Sequence, residues 1–122
     1  MSTASRLSGR RILIVEDEYF IAQEMARAFE GAGASVIGPV SDVAGGLAAL
    51  ADAGDVDGAV LDINLQGELA YPLADALLER ALPFIFATGY DQRSIPVAYA
   101  RVRRCEKPVE PDCVALFLFG MP

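Results

Sequence analysis

Gly58-Ala59-Val60-Leu61-Asp62-Ile63-Asn64-Leu65 leads three apolar residues straight into one carboxylate. Turn signals bracket it: Gly54, Asp55, Asp57 and Gly58 before, Gln66-Gly67 after. A short apolar run so bounded reads as a buried strand, of the kind found inside a parallel sheet covered on both faces. Asp62 then stands at the carboxyl end of that strand, on the edge where open α/β sheets collect ligands. Standing alone, the stretch would equally suit a turn or helix-capping aspartate. The rest of the chain decides between them.

The chain has 122 residues, enough for one domain with one core. It is 53% hydrophobic, which argues against disorder. Net charge is −7, from 17 acidic and 10 basic residues, and this disfavours nonspecific binding to nucleic acid or an anionic membrane. No apolar run approaches the ~20 residues of a membrane helix, and no apolar segment follows the N-terminal arginines as in a signal peptide. A cytoplasmic location is expected. Cys105 and Cys113 are few enough to be free thiols there, and a disulfide between them stays open. With no histidine, Ser-His-Asp and Cys-His catalysis and every His-ligated metal site are excluded. A metal would need oxygen ligands, hence Mg2+ or another hard ion.

Outward from the Asp62 strand, the alternation of elements becomes legible. Residues 1–10 read as a frayed polar tail. Arg11 to Val15 is a first strand, ending in Glu16-Asp17-Glu18. From Tyr19 to Glu30, Ile21, Met25, Ala28 and Phe29 recur at helical spacing, and Gly31 and Gly33 stop the helix. Ala34 to Gly38 is a second strand closed by Pro39. Ser41-Asp42 caps a helix through Ala53, weakened by Gly45-Gly46. After the Asp62 strand, Gly67 to Ala81 is predicted as a third helix, with Leu69, Leu73, Leu77 and Leu78 on one stripe. Phe84 to Ala87 is a fourth strand leading into Thr88-Gly89-Tyr90. Asp91 to Tyr99 lacks periodicity and contains Pro96, against a long helix. Val102 to Cys105 is a weak fifth strand followed by Glu106-Lys107-Pro108. Glu110 to Phe119 is a last helix, with Pro111 in its first turn. Strands alternating with helices give a parallel sheet with helices on both faces. One domain, 11–119, is expected, with 120–122 as its end.

In such a sheet every strand's carboxyl end opens on one edge. Glu16-Asp17, Asp62, Thr88 and Lys107 therefore converge in one shallow pocket. Crowded carboxylates repel unless a divalent cation or a lysine offsets them, so the constellation implies Mg2+. Taken singly, each has an ordinary explanation: an acidic helix N-terminus for Glu16-Asp17-Glu18, a turn residue for Thr88, a solvated lysine for Lys107.

Together, Glu16-Asp17, Asp62, Thr88 and Lys107-Pro108 resemble the receiver domain of bacterial two-component response regulators, over roughly Arg11 to Phe119. Phe86-Ala87-Thr88-Gly89-Tyr90 further resembles stand-alone receivers with a Phe-Ala-Thr-Gly-x-Tyr-like signature. The resemblance implies a flavodoxin-like (βα)5 fold, a doubly wound five-stranded parallel sheet of strand order 2-1-3-4-5. It implies Asp62 as phosphoacceptor toward a sensor histidine kinase or histidine phosphotransfer protein, with Lys107 and Thr88 facing the phosphoryl oxygens. Mg2+ would be held by Asp17, Asp62 and the backbone carbonyl of Asn64, with Glu16 acting through water. Such a chain catalyses its own phosphotransfer and is not otherwise an enzyme. It signals through a downstream protein partner, by contact or onward phosphotransfer, with no nucleic acid and no membrane.

An aspartyl phosphatase of the haloacid dehalogenase type is the alternative. It needs a second aspartate two residues after the nucleophile, where this chain has Asn64, and an acidic pair late in the chain. An unphosphorylated receiver-fold adaptor is the third. Two departures from the receiver pattern stand out. Arg104 occupies the usual aromatic position three residues before the lysine, and the fourth helix is short or irregular. The segment Tyr90 to Arg101 is therefore expected to move on signalling, with Tyr90 in the aromatic's role. On the last helix, Val114, Phe117 and Leu118 are expected to face the sheet. Leu116 and Phe119, beside Ala115, are expected to face outward as a homodimer or docking surface.

Overall fold

The computed structural model describes residues 6–89 and 95–120. The elements follow in the order β1 (Arg11–Val15), α1 (Tyr19–Gly31), β2 (Ser35–Val40), α2 (Val43–Asp52), β3 (Gly58–Asp62), β4 (Asn64–Leu65), β5 (Glu68–Leu69), α3 (Tyr71–Glu79), β6 (Phe84–Thr88), β7 (Arg103–Glu106) and α4 (Pro111–Phe119). The main sheet is ordered β2-β1-β3-β6-β7, and all four of its pairings are parallel. This is the expected order 2-1-3-4-5, with two short extra strands counted in chain order.

Why the sheet is buried on both faces follows from alternation along its strands. Leu13, Val15, Ala59, Leu61, Phe84 and Phe86 point to one face, where they join Val43 and Leu50 of α2 and Leu73, Ala74 and Leu77 of α3. Ile12, Ile14, Val60, Ile85, Ala87 and Cys105 point to the other, where they join Met25, Ala26 and Phe29 of α1 and Val114 and Ala115 of α4. Every residue of β3 and β6 is buried, so these two strands hold the middle of the molecule. The helices are fixed locally as well. The Asp42 carboxylate caps α2, accepting from the Gly45 amide at 2.7 Å, a contact worth about 1 kcal/mol.

Four expectations are corrected. The helix predicted from Gly67 begins only at Tyr71. Residues 64–69 instead form a two-stranded antiparallel hairpin, because Gln66 and Gly67 both take positive φ, 55° and 93°, the geometry of a two-residue hairpin turn. The described part of the expected frayed tail, residues 6–10, is ordered: Leu7 is fully buried in the core, and the Gly9 amide bonds the Gly33 carbonyl. Residues 1–5 lie outside the described residues. On α4, Ala115 is fully buried, and Phe119 is not an outward side chain. Phe119 packs against the core with the Arg10 guanidinium 4.2 Å from its ring centroid, a cation–π arrangement. Leu116 is exposed as expected, at 54%. Finally, Cys105 and Cys113 are not free thiols but a disulfide, since an inward residue of β7 faces the first turn of α4.

Tyr90 falls outside the described residues, so its expected role does too. Within the rest of that segment, the described residues 95–101 hold one short 3-10 turn, Val97–Tyr99, in keeping with the irregular fourth connection. Tyr99 is buried there. It stacks on Tyr71 with ring centroids 4.7 Å apart and donates its hydroxyl to Asp75 at 2.7 Å. Arg104 is exposed on the edge strand.

Candidate phosphoacceptor and metal site

Each main strand except β2 delivers a polar group to the same sheet edge. β1 ends into Glu16 and Asp17, β3 ends at Asp62, β6 ends at Thr88, and Lys107 follows β7 directly. Neighbouring strands set the spacing: Val15 pairs Leu61, Asp62 pairs Ala87 and Thr88 pairs Glu106. Beyond the ladder, the Lys107 amide bonds the Thr88 carbonyl at 2.9 Å, which carries the lysine over the edge. The Lys107–Pro108 peptide is cis.

The four charged groups meet. The Lys107 ammonium lies 2.8 Å from Glu16 Oε1 and 3.0 Å from Asp62 Oδ2, and donates a hydrogen bond to the latter. Glu16, Asp17 and Asp62 each place a carboxylate oxygen within 4.8 Å of the others. Glu16 Oε2 accepts from the Glu18 amide at 3.0 Å. Its Oε1 is buried and receives no directed hydrogen bond, so Lys107 serves it as a near charge. Asn64 sits on the rim with its carboxamide oxygen taken by the Gly67 amide at 2.7 Å. The open side is a shallow pocket of about 520 Å³, lined by Asp17, Asp62, Asn64, Gln66, Gly67, Gly89 and Lys107.

Burial sets the electrostatics. Desolvation pushes Glu16 from the ordinary 4.5 up to about 7, against the Lys107 contact and the Glu18 amide, which pull it down. Asp62 is also raised, first by desolvation, with Lys107 opposing. Burial alone would lower Lys107, but its close contacts with the Glu16 and Asp62 carboxylates outweigh that and raise it. Three carboxylates and one ammonium therefore share a site that remains short of positive charge. Hard oxygen donors so close together, one of them buried without a directed donor, fit a hard divalent cation. Among the described residues no other group of three such side chains lies this close.

Structure thus brings together Glu16, Asp17, Asp62 and Lys107. Asn64 is placed on the rim and Thr88 at the buried end of β6. The pocket-lining Gln66 was missed as a site residue. Its signal was the Gln66-Gly67 turn, which folds the hairpin over the pocket.

No family model matches the chain, and no curated protein does. Solved structures do match. The solution structure of SdrG from Sphingomonas melonis Fr1 is 39% identical, with 98% of each chain covered and a TM-score of 0.79. The BeF3-activated conformation of SdrG from Pseudomonas melonis Fr1 is likewise 39% identical, covering 83% of this chain and 86% of that one, at a TM-score of 0.70. A response regulator receiver protein from Sinorhizobium medicae WSM419 is 22% identical over 92% of this chain and 93% of its own, at a TM-score of 0.72. A response regulator from Burkholderia pseudomallei, solved with a phosphorylated aspartic acid, a calcium ion and citrate, is 20% identical over 89% of this chain and 66% of its own, at 0.73. The last two likenesses are likenesses of fold.

Proposed function

The chain belongs to the response regulator receiver family, and from that premise we propose that it accepts a phosphoryl group on Asp62 from a phosphohistidine. The observation that carries this is the Asp62 carboxylate at the pocket edge, 3.0 Å from the Lys107 ammonium and beside Glu16 and Asp17. An Asp62 oxygen attacks phosphorus. The O–P bond forms as the P–N bond breaks, and the imidazole nitrogen leaves with the electron pair. Catalysis here is mostly positioning and charge. Lys107 already touches the nucleophile and supplies a cation to a phosphoryl oxygen. Thr88, on the neighbouring strand end, supplies a hydroxyl to another. Glu16, Asp17 and Asp62, with the Asn64 carbonyl, would hold Mg2+, which when bound neutralises charge on the phosphoryl oxygens.

The donor is a sensor histidine kinase or a histidine phosphotransfer protein, in the cytoplasm. The chain is a phosphoacceptor that promotes its own phosphorylation and dephosphorylation, not an enzyme acting on a separate substrate. Its signal passes to a protein partner by contact or onward transfer. Among the described residues no helix is long and apolar enough to cross a membrane. The test is Asp62→Asn. Acid-labile, Mg2+-dependent labelling by a phosphorylated histidine kinase should vanish in this variant. Labelling that persists would move the acceptor elsewhere.

A further inference from the structure

The one covalent cross-link in the chain encloses the loop that carries Lys107. Cys105 belongs to β7, where it pairs with Ala87, and Cys113 lies in the first turn of α4. Their Cα atoms are 6.4 Å apart and their sequence positions eight apart. Between them run Lys107, whose ammonium bonds Asp62, and Pro108, Val109 and Glu110. These four residues form one wall of an apolar groove of about 340 Å³, and Ile21, Glu24, Met25 and Ala28 of α1 form the other.

Global stability does not account for this bridge. A domain of this size builds its core without staples. Loop-closure stabilisation grows with the length enclosed, so a bridge this short contributes near the low end. The flanking elements are also anchored without it: Val109, Val114 and Ala115 are buried. What the bridge does fix is local. It clamps both ends of the Lys107 loop, one to the sheet and one to α4. An approaching thiol meets the bond from the Cys113 side, because Cys105 is buried whereas Cys113 is only partly buried. In a cytoplasm that keeps thiols reduced, a disulfide of this kind is characteristically transient and redox-sensing.

We propose that Cys105–Cys113 is a thiol–disulfide exchange site, whose partner is a small thiol or a dithiol protein, and whose state sets how firmly the Lys107 loop is held. A thiolate attacks Sγ of Cys113, the S–S bond breaks, and Cys105 leaves with the electron pair and takes a proton. A second thiol resolves the mixed disulfide. The cystine gains two electrons, and the two external thiols are oxidised to their own disulfide. Reoxidation by a disulfide such as oxidised glutathione runs the same steps backward. The oxidised form presents Lys107 and the groove wall pre-positioned; the reduced form leaves them looser and transfers phosphoryl more slowly. The consequence for transfer rests on the receiver function above, whereas the loop's response does not.

The test compares the intact chain before and after native reduction by dithiothreitol, with thiols counted by maleimide mass shift. Amide hydrogen exchange at Lys107, Val109, Glu110 and Asp112 should rise by about tenfold on reduction, as local opening becomes cheaper. Phosphorylation by phosphoramidate should slow in the same sample. Cys105→Ala with Cys113→Ala should match the reduced form in either buffer. A cystine that resists native reduction would overturn the proposal, as would two titrated thiols with unchanged exchange in the loop. Should Asp62 take no phosphoryl group in either state, the receiver function fails, and loop exchange still decides the redox coupling.

Discussion

Glu16 should make the cation-free protein less stable at pH 8 than at pH 5. The buried carboxyl keeps its proton up to about 7, whereas its ordinary value is 4.5. Across that window the native state binds more protons than the unfolded chain, so unfolding free energy falls as pH rises and levels off above about 7. At about 1.4 kcal/mol per pH unit, the full window is worth on the order of 3 kcal/mol, an upper figure because Asp62 and Lys107 titrate with it. Asp62 is raised as well and pushes in the same direction. Lys107, raised above its ordinary 10.5, contributes stability that is constant across this range. Little else can interfere, since the chain has no histidine and both cysteines are bonded. Urea unfolding in chelator, from pH 5 to 8, should show the midpoint falling by about 1–2 M for an ordinary denaturant slope. Glu16→Gln should flatten most of the slope. Millimolar Mg2+ should restore stability at pH 8 and add little at pH 5, because it binds the charged carboxylates. A midpoint that stays level or rises toward pH 8 in chelator would refute the reasoning, as would an unchanged slope in Glu16→Gln.

Gly46→Ala should destabilise by about 1–3 kcal/mol: its Cβ would stand 2.5 Å from Leu73 Cδ2, so the fully buried Leu73 must shift within a close-packed core, and that crowding exceeds the helix-propensity gain of about 1 kcal/mol. Thermal melts would show it, and an unchanged melting temperature would mean that α2 and α3 can separate freely. Tyr99→Phe removes the 2.7 Å bond to Asp75 but keeps the stacking on Tyr71; a loss of about 1–2 kcal/mol by urea unfolding is expected, against none if water replaces the bond. On α4, Leu116→Lys should change stability by less than about 0.5 kcal/mol, while Phe119→Ala should cost about 1–3 kcal/mol. Sedimentation of Leu116→Lys separately tests the homodimer: a dimer that persists would exclude Leu116 from its interface.

The fold was legible because its two central strands obey a simple rule. A strand buried on both faces must be apolar throughout, and both Gly58–Asp62 and Phe84–Thr88 are buried at every position. Their polar ends then stand out, which is why Asp62 and Thr88 could be placed from residue types alone. The edge strand β7 was harder to bound. Only Cys105 among its four residues is buried, so hydrophobicity carries almost no trace of it. The hairpin at residues 64–69 was hidden for another reason. Leu69 falls on the same helical stripe as Leu73 and Leu77, and that periodicity masked the backbone demand of Gln66-Gly67. Yet Leu69 is half-exposed, where a helix would have buried it.

The C-terminal helix shows where pattern stops being informative. Seven apolar residues in a row, Cys113 to Phe119, contain no stripe to choose from, so its orientation depends on what lies opposite. Val114 and Ala115 meet the sheet, and Cys113 meets Cys105. Phe119 finds a cation from Arg10 in a segment whose polar composition suggested a loose tail. Leu7, the one leucine of that segment, is buried in the same cluster as Val114 and Phe29. The buried leucine and the stacked arginine each gain on the order of 1–2 kcal/mol from contact, which offsets the similar entropy cost of ordering those two residues, and the Gly9 amide on the Gly33 carbonyl adds a backbone tie. Leu7 and Arg10 and the last helix therefore hold each other, and neither half of that contact can be read without the other.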